Sequence, residues 1–140
     1  MPFRRKAATV SDHRKAEPPV DVDAHTRRVI EATAAFTLTP HARVIALVDA
    51  VRYVANRGVP GAIVECGVWR GGSMMAVAMT LLEQGDTSRD LYLFDTFTEM
   101  PPSGPQDYLA NGQKVVDLQE GDEVPDAYAY LPIEAVREAM

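Results

Sequence analysis

The segment Glu65-Cys66-Gly67-Val68-Trp69-Arg70-Gly71-Gly72-Ser73 constrains the fold most. It is a glycine-rich turn between two short apolar runs, Ala62-Ile63-Val64 before it and Leu91-Tyr92-Leu93-Phe94 after it. Short apolar runs bounded by turn residues, here Pro60-Gly61 and the glycines from Gly67 onward, suit strands buried on both faces, as in a parallel sheet. Between the runs, Met74, Val77, Ala78, Leu81 and Leu82 recur at helical spacing. Ser73 stands where it can cap that helix, and Gly85 where the helix ends. The sequence therefore predicts strand, glycine turn, helix and strand: one βαβ unit of an α/β protein, with a right-handed crossover.

Upstream, Thr39-Pro40 reads as a threonine N-cap followed by proline at the first helical position. Val44, Leu47, Val48, Val51 and Val54 then form one apolar stripe, and Gly58 and Pro60 close the segment, which predicts a helix over 40–56. A shorter amphipathic helix is expected over 26–36, with Val29, Ile30, Ala34 and Phe36 on its apolar side. Residues 1–24 are polar, charged and aperiodic and read as a flexible arm. Residues 25–58 read as N-terminal helices forming a lid or an oligomer contact, and 59–140 as the first half of a Rossmann-like domain. After Asp95 regularity fades into a proline-rich and acidic stretch from Met100 to Asp126, of the kind that forms a mobile binding loop. Leu131-Pro132 opens a last helical stretch that runs into the C-terminus. Two strands with three or four helices make half of an open α/β sheet, so the chain is expected to be the N-terminal part of a larger protein. The rival expectation is a small domain that completes its core by self-association.

Charge and composition exclude several functions. The 140 residues carry a net charge of −6, and from Asp95 onward ten acids face only Lys114 and Arg137. Such a body repels phosphate backbones, so no nucleic-acid partner is expected. A single cysteine excludes a disulfide scaffold, and no apolar run is long enough to span a bilayer, so a cytoplasmic protein without a membrane partner is expected. His13, His25 and His41 share no metal-ligand spacing and read as surface residues. The acids Asp117, Glu120, Asp122, Glu123 and Asp126 read as a solvated loop without the order of a calcium-binding loop.

In open α/β sheets ligands bind beyond the carboxyl ends of the strands. There the glycines of the turn let a ligand approach the backbone, and Asp95, ending the second strand about 20 residues on, stands where an acid receives ribose hydroxyls. The turn is not the dinucleotide fingerprint: with Gly67 and Gly72 as first and third glycines, the middle place is Trp69, too bulky for a diphosphate to lie against the backbone. The pattern E-x-G-x-x-x-G suits S-adenosylmethionine, a nucleoside cofactor without phosphate. A nucleotide-dependent oxidoreductase and a non-catalytic or regulatory nucleoside-binding module stay open beside a methyltransferase. Glu65 could serve a ligand or merely cap backbone N–H groups, and Trp69 could pack the turn or wall a pocket. Arg70 reads as solvated or ion-paired, Cys66 as a small buried apolar residue, and Met74, Met75 and Met79 as core filler.

The stretch from Val59 to Asp107, with ECGVWRGGS followed by LFDTF-x-x-MP, resembles the macrocin O-methyltransferase (TylF/MycF-type) family, clearest from Pro40 to Asp107. The resemblance implies a class I methyltransferase fold of the Rossmann-like type, here truncated after the second strand and the helix that follows. It implies methyl transfer from S-adenosylmethionine to a hydroxyl of a sugar or macrolide-like natural product. A divalent cation, magnesium being the expected one, would assist. Residue by residue, Glu65, Gly67, Gly71, Gly72 and Ser73 match the first cofactor motif, with Trp69 inside it as a candidate wall of the pocket, and Asp95, with Thr96 and Phe97 beside it, matches the acid that holds the ribose hydroxyls. The family's metal ligands and catalytic base lie downstream of the matched region, so the resemblance implies a cofactor site here and no catalytic or metal residue.

Overall fold

The computed structural model describes residues 18–98, 104–109, 112–117 and 132–140. Most of the expected arm, Leu131 and much of the stretch from Met100 to Asp126 lie outside the described residues. The elements in chain order are α1 (Ala24–Thr33), α2 (His41–Asn56), β1 (Ile63–Cys66), α3 (Gly72–Glu83), β2 (Leu91–Phe94), a short 3-10 turn (Val115–Asp117) and α4 (Ile133–Ala139). The strands pair in parallel, Ile63 against Leu91 through Cys66 against Phe94, as a βαβ unit requires. The ladder runs one step further at each end, where Ile63 N–H donates to the Asp90 carbonyl and Gly67 N–H to the Phe94 carbonyl.

Each helix has an identifiable start and stop. Asp23 caps α1, its carboxylate accepting from the N–H groups of His25 and Thr26, so the helix begins earlier than the apolar periodicity alone places it. The expected threonine cap of α2 is not formed. Pro40 holds the cap position with extended backbone, and the Thr39 hydroxyl pairs with that of Thr37 instead. The stop is as expected: Gly58, at φ +61°, lets its own N–H reach the Ala55 carbonyl and that of Val59 the Val54 carbonyl.

The core lies between the helices and one face of the sheet. One cluster joins Val29 and Ile30 of α1 to Val44 and Val48 of α2 and Ala76 of α3. A second joins Val51, Met74, Val77 and Leu81, and against it pack Leu47 and the inward strand residues Ile63, Leu91 and Leu93. Thus α1 and α2 supply core rather than decoration. Buried Thr33 and Thr80 satisfy their hydroxyls on the carbonyls of Val29 and Ala76, one turn back. Thr80, invisible to a search for apolar periodicity, is fully buried, whereas Leu82, expected on the buried face of α3, is 66% exposed.

The strands are not buried on both faces. Among the described residues, Val64, Tyr92 and Phe94 stand on an uncovered face, Phe94 58% exposed, with the Tyr92 and Phe94 rings stacked 6.5 Å apart. Cys66 is on that same face and exposed, not buried as its residue type led us to expect. The apolar runs are continuous because one alternate set meets α2 and α3, while the other set is apolar without meeting a described element.

A polar cluster ties α1 to the rest. The Arg52 guanidinium donates to both oxygens of Asp23 (2.8 and 3.1 Å) and to Glu83 (3.0 and 3.1 Å). The Arg52 bonds hold the Asp23 carboxyl far below the usual aspartate range, with the Thr26 bonds adding to the effect. His25, expected at the surface, is 8% exposed, with Nδ1 3.4 Å from Glu83 and Nε2 3.5 Å from the Thr80 hydroxyl. A histidine read alone reveals no such pairing, because its partners come from α3.

Candidate ligand-binding turn

The turn follows directly from β1. Gly67 takes φ +89° and opens it, Gly71 takes φ +83° and closes it, and the Gly71 N–H donates to the Val68 carbonyl. A Cβ on Gly67 would meet nothing within 4 Å, so this side of the turn is open to an approaching molecule. Gly71, not Ser73, holds the cap position of α3. Val68 points inward and is buried, while Trp69 adopts φ +51° with the Arg70 guanidinium 5.0 Å from its ring centre. Arg70 is therefore a stacking partner that also reaches the Ala35 carbonyl at 3.5 Å.

Gly72 is small for a different reason. Its N–H donates to the Phe36 carbonyl (2.9 Å), and a Cβ there would lie 2.4 Å from that oxygen and 2.8 Å from the Thr37 Cβ. The connector between α1 and α2 thus presses its backbone onto the start of α3. On the other flank Val136 of α4 packs over Gly71, 3.3 Å from where a Cβ would be. Sequence reading missed both neighbours: the Phe36 carbonyl is backbone and carries no residue-type signal, and the Val136 side chain comes from a helix far along the chain.

Two carboxylates flank the turn. Asp95, directly after β2, accepts from Val68 N–H (2.7 Å) and Trp69 N–H (3.2 Å) through Oδ2, and from Phe97 N–H (3.2 Å) through Oδ1, with the Thr96 hydroxyl 3.4 Å away. Partial burial works against its charge but is outweighed by the N–H groups of Val68, Trp69, Phe97 and Thr96, which hold the pKa below the usual aspartate range. Glu65 is the opposite case. Burial raises its pKa, the Ser73 hydroxyl bonded to it opposes the rise, and the Asp95 charge adds to it. Its Oε2 is buried and has no hydrogen-bond partner among the described residues. Ser73, expected as a cap, thus serves Glu65. The structure brings together Glu65, Gly67, Trp69, Gly71, Gly72, Ser73, Asp95, Thr96 and Phe97 around one turn, with Gly72 turned to the connector.

Elsewhere, a shallow cavity of about 350 Å³ lies at the opposite, amino-terminal end of the strands, beside Gly61, Asp86 and Arg89. Arg89 is taken up there by the carbonyls of Val59 and Gly61 and by Asp86, so that end is a structural clasp. Among the described residues no group of three or more His, Cys, Asp or Glu side chains is placed to hold a metal ion. No described helix is long and apolar enough to cross a membrane.

A parallel βαβ unit with a glycine turn and two carboxylates at the carboxyl end of its strands defines an α/β protein compatible with a methyltransferase-like fold. The chain belongs to the macrocin O-methyltransferase (TylF) family, whose sequence profile matches residues 3–139. It is also similar to the 8-demethyl-8-(2,3-dimethoxy-alpha-L-rhamnosyl)-tetracenomycin-C 4'-O-methyltransferase of Streptomyces olivaceus, with 34% identity over 87 residues. That alignment covers 62% of this chain and 31% of the relative, so the match spans about a third of the relative's length. No solved structure matches the chain.

Proposed function

We propose that this chain carries the S-adenosylmethionine-binding part of an O-methyltransferase acting on a hydroxyl of a sugar or natural-product scaffold. The observation that carries the reading is Glu65 Oε2, a buried carboxylate oxygen lacking a described partner at the base of an open glycine turn. Burying such a group is costly unless a donor reaches it. A cofactor rich in donors, with an ammonium and ribose hydroxyls and no phosphate, meets that need. The turn favours the same choice: the N–H groups of Gly67, Val68, Trp69, Gly71 and Gly72 already have acceptors within the chain.

In this reading Glu65, Gly67, Trp69, Gly71, Ser73, Asp95, Thr96 and Phe97 line the cofactor site. Gly72 supports it from behind, and Ser73 orients Glu65. When bound, the cofactor supplies an electrophilic methyl group for transfer to an oxygen nucleophile. The family resemblance adds a divalent cation and a base, carried by residues downstream of those matched here, so no residue of this chain is assigned to either. The rhamnosyl-decorated substrate in the relative's name supports a glycosylated small molecule as acceptor.

Calorimetry with S-adenosylmethionine and S-adenosylhomocysteine tests the reading. Binding is expected to weaken for Glu65→Gln. No heat from the folded chain, or a Glu65→Gln variant that binds as well as the parent, would refute it.

A further inference from the structure

We infer that α1 and the connector behind it form a strap laid along α3 and fastened at both ends, so that an ionic cluster at the far end of α3 helps to hold the glycine turn in shape. The strap stands on the ligand-free geometry; the ligand that its release would expel rests on the function proposed above.

The contacts of the strap run antiparallel to α3. His25 lies against Thr80 and Glu83 in the last turn of α3. Val29 and Ile30 share a core cluster with Ala76 near its middle, and the Phe36 carbonyl takes the Gly72 N–H at its start. The strap thus covers all 12 residues of α3, a span of about 18 Å. Its two fastenings differ in kind. The far one is ionic: Arg52 of α2 binds both Asp23, the cap of α1, and Glu83 of α3, so one guanidinium joins three helices. These groups are partly exposed, which leaves the fastening open to salt. The near one uses backbone oxygens: the Gly72 N–H and the Arg70 guanidinium donate to the consecutive carbonyls of Phe36 and Ala35. Arg70 is also the group stacked on Trp69.

The connector travels with the helix, because Phe36 N–H is bonded to the carbonyl of Thr33, the last residue of α1. Lifting α1 therefore withdraws the acceptor of Gly72 and the anchor of Arg70 together, and the turn loses its support on that flank. Elements fastened in this way open locally, below the free energy of global unfolding. A ligand that binds only the shaped turn opposes that opening by mass action, and by linkage the opening opposes the ligand.

Native-state hydrogen exchange read by NMR tests the strap in the ligand-free chain. Arg52→Met should speed exchange at Ile30 in α1 and at Gly72 by the same factor, about fivefold, the scale of a partly exposed ion cluster. Ile63, whose N–H is bonded across the strands to the Asp90 carbonyl, should not respond. Arg52→Lys, which keeps the charge without the planar fork, should fall between. Salt at about 1 M should move the parent toward the methionine variant and leave that variant in place; if the methionine variant fails to fold, the lysine variant and the salt series carry the same comparison. Gly72 exchange that ignores the perturbation would overturn the inference. So would an equal response at Ile63, since release would then be global unfolding. S-adenosylhomocysteine at about 100 times its Kd should slow Ile30 and Gly72 together by about 100-fold, and protection of Gly72 without Ile30 would also count against the strap. If the ligand-free amides respond as expected but S-adenosylhomocysteine fails to bind, the cofactor reading falls and the strap stands.

Discussion

Replacing Gly72 by alanine separates two opposing effects at one atom. Its backbone is not left-handed, so the usual penalty for a side chain at such a site does not apply; α-helical propensity would favour alanine by up to about 1 kcal/mol. Against this, the new Cβ would meet the Phe36 carbonyl oxygen at 2.4 Å and its carbon at 2.5 Å, both backbone atoms that no rotamer change moves aside. Relief requires the connector to retreat by about 1 Å, which lengthens or breaks the 2.9 Å bond from Gly72 N–H. Overpacking of this kind costs about 1–3 kcal/mol and the lost hydrogen bond about 1 kcal/mol. The net expectation is a loss of about 2 kcal/mol, or about 8 °C in Tm for a chain of this size. Urea and thermal unfolding followed by circular dichroism would read it, with hydrogen exchange at Thr37 and Gly72 reporting the connector. Gly72→Ala at or above parent stability would show that the connector yields freely, and that its contact with the turn has no structural weight.

Other perturbations follow from the same geometry. Ile30→Ala should cost about 3 kcal/mol if α1 is core, because Ile30 is 2% exposed and packed among α2 and α3; a loss under about 1 kcal/mol in urea unfolding would mean that α1 is peripheral. Asp23→Ala removes the α1 cap and the Arg52 pair, and about 1–2 kcal/mol should be lost, the ion-pair share shrinking in high salt since Asp23 is half exposed. Glu65→Gln should raise stability at pH 7. Its folded-state pKa lies above the ordinary 4.5, so the folded state binds more protons and stability falls as pH climbs from 4.5 through the raised value. The gain should vanish near pH 4, and a gain unchanged by pH would disprove burial as the cause. Asp95 has the opposite sign: with its folded pKa below 3.8, its contribution is full above that value and is lost as pH falls further, so Asp95→Asn should flatten the acid limb of the stability curve.

Local chemistry alone was enough to place the two strands, α3 between them and the left-handed stop of α2, because periodicity, glycine and proline act over a few residues. The same locality located the turn and its two acids, since ECGVWRGGS and the aspartate after a strand are contiguous signals. What only the tertiary structure decided is what each of those groups faces. Ser73 turns to Glu65 because Gly71 takes the cap, and Gly72 must lack a side chain because a carbonyl from the α1–α2 connector lies against it. Thr80 is buried and Leu82 exposed because the packing of α1 and α2, rather than residue type, chose the face of α3. Asp95 presents both oxygens to backbone N–H groups that are adjacent in space and some 26 positions away in the chain. Backbone donors and carbonyls carry no residue identity, so their partnerships emerge only when the chain is folded.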